Sequence, residues 1–273
     1  MLYTPTGSTR RRLPLIVMLH GCGQTARDFA SGTGFNALAD EFGFLVLYPE
    51  QSLSANFAKC WNWHRPGDQR RGAGEPAAIA ALTRQIIASS KANASRVYVA
   101  GLSAGGAAAS ILAGAYPDLF TALGIHSGVT HGNVRNLSAA LAVMRTGNGG
   151  ATATARSTPP PTIIFHGDAD TVVHPANAGT FIDSLRSSKR RPLGVTVQNG
   201  KAKGGRTYTR TTYRLQKGAV WLEDWTIHGG GHAWAGGNCA GSYTDPLGPD
   251  ASRAMVLFFL ARRKPTAATP GLS

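Results

Sequence analysis

The stretch Gly101-Leu102-Ser103-Ala104-Gly105 decides the fold prediction, because its flanks indicate a strand, a tight turn and a helix. The apolar run 97–100 is typical of a buried strand, and the Ala-rich run 104–115 is typical of a helix. A serine between two glycines at such a turn is typical of a nucleophile elbow, where larger neighbours would collide with the strand or the helix. The elbow places the hydroxyl beside a helix N-terminus, whose dipole favours negative charge. The alternative is an ordinary serine in a glycine-rich turn.

Composition narrows the class of protein. The chain has 273 residues, of which 42% are hydrophobic and 15% charged, and these values are typical of a globular protein. No apolar run is long enough to cross a bilayer, and residues 1–13 lack the pattern of a signal peptide. The formal net charge is +14, but the cations are scattered, which favours a solubilising basic surface over a nucleic-acid footprint. We expect neither a membrane nor nucleic acid as partner, and the oligomeric state stays open.

The three cysteines, Cys22, Cys60 and Cys239, include no C-x-x-C pair. A zinc site or a thioredoxin-like motif built on such a pair is therefore excluded, and at most one intrachain disulfide can form. In a reducing compartment all three thiols would be free. We expect no metal and no organic cofactor.

Short apolar strands alternate with helical segments along most of the chain, which favours an α/β fold with a mostly parallel, doubly wound sheet and helices on both faces. We expect buried strands at 14–19, 44–48, 97–100, 122–126 and 162–165, and antiparallel strands at 195–197, 207–215 and 220–227. We expect helices at 35–42, 75–91, 104–115, 175–188 and 250–262. The prediction is a single catalytic domain, 1–264, with a small excursion at 131–161 that holds a helix at 137–145, and a disordered tail, 265–273.

An acid and a base follow the elbow in chain order at strand ends, where functional loops of such sheets lie. A serine hydroxyl needs a base to take its proton, and in this fold the order is serine, carboxylate, histidine. Asp170 is the preferred acid, with Asp168 as the alternative, because Val172-Val173 would anchor the loop in the core. His232 is the preferred base, since the preceding glycines let its loop bend over Ser103, with His228 as the rival.

The oxyanion hole requires two backbone N–H donors. One is expected at Ala104, next after the nucleophile, and the other at Cys22, in the loop after the first strand. His20, His166 and His174 are expected to bind backbone groups and shape turns.

Five motifs occur in an order that resembles the polyhydroxybutyrate depolymerase-family esterases, a group of α/β-hydrolases. They are His-Gly-Cys-Gly-Gln at 20–24, Cys-Trp-Asn-Trp at 60–63, Gly-Leu-Ser-Ala-Gly-Gly at 101–106, His-Gly-Asp-Ala-Asp at 166–170 and Gly-Gly-His-Ala-Trp at 230–234. The similarity runs from about Pro14 to Leu260 and includes Gly241-Ser242-Tyr243-Thr244-Asp245-Pro246.

The resemblance implies a serine carboxylester hydrolase with Ser103 as nucleophile, Asp170 as acid and His232 as base, acting on poly(3-hydroxybutyrate) or on short hydroxyalkanoate esters or oligomers. Relatives that act on feruloyl or acetyl groups of plant polysaccharides suggest a second class of substrates. The resemblance also implies a Cys22–Cys60 disulfide and an extracellular or periplasmic location, although the absence of a visible signal leaves the cytoplasm open. Two rival interpretations are a serine peptidase of the same fold and a basic binding module on an inactive hydrolase fold.

Four further residues are candidates for substrate binding: Gln24, Trp61, Trp63 and Trp234. The tryptophans would line an apolar groove beside the serine, because indoles supply large apolar area at binding sites. The alternative for them is packing in the core, where large aromatics are also common.

Overall fold

The computed structural model describes residues 1–7, 12–90, 92–129, 134–147, 160–187, 193–216 and 218–264. Its strands are β1 (Leu2–Tyr3), β2 (Leu15–Leu19), β3 (Leu45–Leu47), β4 (Val97–Leu102), β5 (Ala122–His126), β6 (Thr162–Gly167), β7 (Gly194–Lys201), β8 (Thr207–Arg214), β9 (Val220–Ile227), β10 (Trp234–Ala235) and β11 (Thr244–Asp245). Its α-helices are α1 (Ala26–Thr33), α2 (Phe35–Phe42), α3 (Gly74–Ser89), α4 (Ala104–Ala115), α5 (Leu137–Thr146), α6 (Ala176–Ser187) and α7 (Ala251–Leu260), and a 3-10 turn spans Pro66–Gln69.

Nine of the strands form one sheet in the order β1-β3-β2-β4-β5-β6-β9-β8-β7. The strands from β3 to β9 in that order pair in parallel, whereas β1 and the β9-β8-β7 ribbon pair antiparallel. Parallel sheets need cover on both faces, and β2, β4, β5 and β6 are buried throughout. The α/β prediction with a mostly parallel, doubly wound sheet is confirmed.

Two apolar layers lie on opposite faces of the sheet. One contains buried side chains of α3, α4, α5 and α6 packed on alternate strand residues such as Val17 and Val99. The other contains side chains of α1, α2 and α7 packed on the intervening residues, such as Met18 and Ala100. The alternation follows from the two-residue period of a strand, which sends neighbouring side chains to opposite faces. Because the strands from β3 to β9 pair in parallel, the loops at their carboxyl ends lie along one edge of the sheet.

Several short elements were not predicted from the sequence: β1, α1, β10 and β11. The helix expected within the excursion is present as α5, while residues 131–133 and 148–159 of the excursion and the tail 265–273 lie outside the described residues. In the described part of the chain, no helix is both long and apolar enough to cross a bilayer.

Candidate active site

Ser103 occupies a sharp turn between β4 and α4. Its backbone has φ +57° and ψ −120°, a conformation that L-residues rarely adopt, and its N–H donates to the carbonyl oxygen of His126 at 2.9 Å. A β-carbon at Gly105 would clash with the carbonyl oxygen of Leu19, and one at Gly101 would clash with the backbone of Gly105. The two glycines are therefore required because strand β2, strand β4 and helix α4 approach one another too closely for any side chain.

Ser103, His232 and Asp170 are joined by two hydrogen bonds. Nδ1 of His232 donates to Oδ2 of Asp170 at 2.7 Å, because a carboxylate can only accept. Nε2 then carries the lone pair and accepts from the Ser103 hydroxyl at 3.0 Å. The residues come from three loops, after β4, β6 and β9, at the same edge of the sheet. The arrangement can deprotonate the hydroxyl and stabilise the resulting imidazolium.

The Asp170 side chain is fully buried, yet all of its contacts favour the charged form. Oδ1 accepts from the N–H groups of Val172 at 2.9 Å and Val173 at 2.8 Å. Oδ2 faces two imidazoles, His232 at 2.7 Å and His166 at 3.4 Å. Burial by itself raises the pKa of Asp170, but the hydrogen bonds from His166, His232 and Val173 outweigh burial and hold the pKa well below its usual range. Asp170 is therefore a carboxylate at neutral pH.

The two rival residues, Asp168 and His228, pair with each other instead. Nδ1 of His228 lies 2.8 Å from Oδ2 of Asp168, and both side chains are 42% exposed. Oδ1 of Asp168 also accepts from the N–H of Gly229 at 2.7 Å. This outer pair ties the loop after β6 to the loop after β9, while Asp170 and His232 face Ser103.

Three histidines bind backbone groups. His20 donates from Nδ1 to the carbonyl of Gly21 at 2.8 Å and accepts at Nε2 from the N–H of Gln51 at 3.0 Å. Burial lowers the pKa of His20, so this imidazole is neutral. His166 donates from Nε2 to the carbonyl of Val173, and Nδ1 of His174 accepts from the N–H of Ala176. These contacts agree with the expected turn-shaping roles.

His126 was not singled out from the sequence. Its carbonyl holds the N–H of Ser103, and its Nε2 accepts from the N–H of Ala235 at 2.9 Å, three residues after His232. The ring is fully buried between Phe165 and Trp234, and burial holds the pKa of His126 well below its ordinary value. The available signal was a histidine ending a buried strand at the same edge as the other candidates.

The loop after β2 lies against the start of α4. A β-carbon added to Gly21 would lie 3.5 Å from the side chain of Leu102, and one added to Gly105 would clash with the carbonyl oxygens of Leu19 and His20. Among the hydrogen bonds of the described residues, none uses the backbone N–H of Cys22 or of Ala104. Both N–H groups are therefore available to an external acceptor beside Ser103.

Cys22 and Cys60 form a disulfide, as the resemblance implied, and the exposed Cys239 is free. Gly23 also donates its N–H to the carbonyl of Ala58 at 2.9 Å. The covalent bond and the hydrogen bond fasten the loop after β2 to the loop that follows β3.

The candidate substrate-binding tryptophans are buried. Trp61, Trp63 and Trp234 are 3%, 5% and 1% exposed and belong to the two apolar layers. The indole N–H of Trp61 donates to the carbonyl of His20, and that of Trp234 donates to the hydroxyl of Ser252. Burial to this degree favours the alternative of core packing for the three tryptophans, and their part in substrate binding stays a prediction.

Gln24 is engaged at both ends of its amide. Oε1 accepts from the N–H of Gly21 at 2.8 Å, and Nε2 donates to Asp28 at 2.9 Å and to the carbonyl of Ser242 at 3.1 Å. With only 2% of its surface exposed, Gln24 joins three segments: the loop after β2, helix α1 and the segment that contains Ser242. A role of Gln24 in substrate binding stays a prediction.

No group of three His, Cys, Asp or Glu side chains suited to a metal ion occurs among the residues described.

Two curated relatives are similar in sequence. Poly(3-hydroxyalkanoate) depolymerase C of Paucimonas lemoignei is 32% identical over 232 residues, which cover 80% of this chain and 54% of the relative. Feruloyl esterase B of Neurospora crassa is 42% identical over 118 residues, which cover 43% of this chain and 39% of the relative. The chain thus spans about half the length of the first relative, and the match spans less of the second.

The solved acetyl xylan esterase from Aspergillus awamori superposes with a TM-score of 0.68 at 21% identity, covering 85% of this chain and 87% of that one. At that identity the likeness shows the fold. The family model described as esterase PHB depolymerase matches residues 1–211, which include the loops that carry Ser103 and Asp170. Since that match covers more than half of the chain, the chain belongs to the esterase PHB depolymerase family.

Proposed function

We propose that the chain hydrolyses carboxylic esters by acyl transfer to Ser103. The observation that carries the proposal is the unbroken hydrogen-bond chain from the Ser103 hydroxyl through His232 to Asp170, with heavy-atom distances of 3.0 and 2.7 Å. The strained turn keeps the hydroxyl at the edge of the sheet, and a buried carboxylate fixes the tautomer of the imidazole.

The mechanism has two steps. His232 takes the proton of Ser103 at Nε2 as Oγ attacks the ester carbonyl, and Asp170 stabilises the imidazolium. The N–H groups of Cys22 and Ala104 donate to the oxyanion, and the helix dipole of α4 favours the same charge. His232 then protonates the departing alcohol, and a water molecule, deprotonated by the same imidazole, cleaves the acyl-enzyme.

The proposed substrates are poly(3-hydroxybutyrate), short hydroxyalkanoate esters or their oligomers. Support comes from the family match and from the 32% identity to a poly(3-hydroxyalkanoate) depolymerase. Feruloyl or acetyl esters of polysaccharides are the second candidate class, favoured by the 42% identity to a feruloyl esterase over a shorter segment.

A substrate panel tests both the chemistry and the class. Poly(3-hydroxybutyrate), hydroxybutyrate oligomers, methyl ferulate and acetylated xylan are incubated with the wild-type chain and with Ser103→Ala. We expect hydroxybutyrate oligomers to be cleaved fastest, and the substitution to lower turnover by several orders of magnitude without lowering the melting temperature. Turnover retained in Ser103→Ala would refute the mechanism. A clear preference for methyl ferulate or acetylated xylan would instead identify feruloyl or acetyl esters of polysaccharides as the substrates.

We propose that the folded protein is located outside the cytoplasm, in an oxidising compartment. The disulfide between Cys22 and Cys60 supports this location, because such bonds persist where thiols are not kept reduced. Peptide mapping of the protein isolated from its native source is the test, and free thiols at both positions would contradict the proposal.

A further inference from the structure

Tyr243 stands beside His232 in a backbone conformation that tyrosine seldom adopts. Its φ is +51°, in the left-handed region where the β-carbon is crowded. Its side chain is 53% exposed, and its ring centroid lies 6.4 Å from that of His232 with the planes at 78°. An aromatic ring therefore borders the imidazole on the solvent side.

The residues on both sides of Tyr243 hold this conformation. Ser242 donates from its N–H and its hydroxyl to the two carboxylate oxygens of Asp28, at 2.9 and 2.6 Å. The carbonyl of Tyr243 accepts from the N–H of Trp234 at 2.7 Å, and Thr244 pairs with Trp234 in the two-stranded sheet. The segment is thus pinned to α1 on one side and to the loop of His232 on the other.

Folding gives little reason to place a tyrosine here. About half of the ring surface stays in water, and left-handed backbone favours glycine or asparagine. The neighbouring Trp234, by contrast, is 1% exposed and fills the core. The exposed ring is therefore available to contact a molecule bound at Ser103.

The position of the ring relative to His232 indicates which part of an ester it would touch. Nε2 of His232 must reach the oxygen of the leaving alcohol to protonate it, so the alcohol part lies against the imidazole. The ring of Tyr243 lies beside this imidazole, with the ring centroids 6.4 Å apart, so it is placed to contact a group held there.

We infer that Tyr243 forms a wall of the subsite for the alcohol part of the ester and favours apolar or aromatic alcohols. In a hydroxyalkanoate oligomer the alcohol part is the rest of the chain, so the same wall would contact the next repeat. This inference rests on the proposed ester hydrolysis at Ser103.

The test compares two series of esters. In the first, the acyl group is acetyl and the alcohol is methanol or benzyl alcohol; in the second, the alcohol is methanol and the acyl group is acetyl or 3-phenylpropanoyl. The variants are Tyr243→Phe, which keeps the ring, and Tyr243→Asn, which removes it while tolerating the left-handed backbone. Val195→Asn is the matched control, because Val195 is equally exposed, at 52%, on the outermost strand β7.

We expect Tyr243→Asn to lower the ratio of kcat/KM for benzyl acetate over methyl acetate about tenfold, mainly through KM, since one aromatic contact contributes this much. Tyr243→Phe and Val195→Asn should keep the wild-type ratio, and the acyl-series ratio should stay constant in all variants. An equal loss on both acetates, or a change that follows the acyl group, would overturn the assignment. Ser103→Ala is run beside them: turnover that survives it refutes the proposed function, whereas Ser103-dependent turnover with unchanged ratios refutes only the role of Tyr243.

Discussion

His166 contacts Asp170 from behind: Nε2 of His166 lies 3.4 Å from the carboxylate oxygen that accepts from His232. The same Nε2 donates to the carbonyl of Val173 at 2.8 Å, so its proton points toward both acceptors. The His166 side chain is 3% exposed, and its position is therefore fixed by packing. Asp170 is held between two imidazoles: that of His232, which faces Ser103, and that of His166, which is buried in the fold.

Removing this second imidazole should impair catalysis without changing substrate affinity. We predict that His166→Ala lowers kcat about 10- to 100-fold with little change in KM, because a small displacement of Asp170 misaligns His232. His166→Gln, whose amide N–H can replace Nε2, should recover most of the loss. Steady-state kinetics and the melting temperature of each variant give the measurements.

A double substitution separates positioning from mere packing. In an Asp170→Asn background, adding His166→Ala should lower kcat by less than about threefold, because the two residues act through one another. Fully multiplicative losses would show that His166 acts independently of Asp170 and would contradict the prediction.

The two aspartate–histidine pairs allow a matched comparison of Asp170 and Asp168. Asp170→Asn should lower kcat roughly 10⁴-fold, since an amide can donate to His232 and favour the wrong tautomer. Asp168→Asn should leave kcat within about threefold, although its hydrogen bond to His228 has a similar length, 2.8 Å against 2.7 Å. Comparable losses in the two variants would contradict the assignment of Asp170 as the acid.

Gly105 and Gly114 lie in the same helix, α4, but differ in their surroundings. Gly105→Ala should destabilise the fold by about 3 kcal/mol or more, because the new methyl group meets the backbone of β2, which cannot yield cheaply. Gly114→Ala should stabilise it by about 0.5 to 1 kcal/mol, since nothing lies within 4 Å of a β-carbon there. Urea unfolding of both variants provides the comparison, and equal free energies of unfolding would refute the close approach.

Asp224 gives a prediction about stability and pH. Burial raises the pKa of Asp224 from 3.8 to about 6, and the electrostatic interaction with His166 opposes part of this increase. The folded protein therefore binds this proton more tightly than the unfolded chain does. The free energy that this tighter proton binding adds to folding is fully present below pH 4 and is lost as the pH rises through 6. Asp224→Asn should raise the free energy of unfolding by about 1 to 3 kcal/mol at pH 8 and change it little at pH 4.

Asp183, an exposed carboxylate on α6, is the control for that measurement. Asp183→Asn should give nearly the same unfolding free energy as the wild type at both pH values. If Asp224→Asn raises the free energy of unfolding by the same amount at pH 4 and at pH 8, the carboxyl of Asp224 does not titrate in this range.

Long elements with a clear period could be predicted from the sequence. The bounds of α2, α4 and β5 agree with the expected 35–42, 104–115 and 122–126, because their apolar residues repeat at 3.6 positions or run without interruption. Helix α1 was not predicted because its sequence, ARDFASGT, has little apolar content. It forms because the Thr25 side chain caps its N-terminus and Phe29 packs edge-on against Trp234.

The site was harder to anticipate at the level of individual contacts. Chain order and strand ends pointed to Ser103, Asp170 and His232, but left Asp168 and His228 as rivals, since spacing alone does not show which carboxyl faces which imidazole. The burial of the three tryptophans at the site depends on long-range packing between loops, which no local pattern encodes. The same holds for His126, whose partners lie at 103 and 235.

The two hydrogen bonds of His126 affect how Ser103 and His232 can move relative to each other. Its carbonyl accepts from the backbone N–H of Ser103, and its imidazole accepts from the N–H of Ala235 in the loop of His232. One residue at the end of β5 is therefore hydrogen-bonded to both segments. A displacement of that strand would move Ser103 and His232 together. We therefore expect the distance between Oγ of Ser103 and Nε2 of His232 to change little when the end of β5 is displaced.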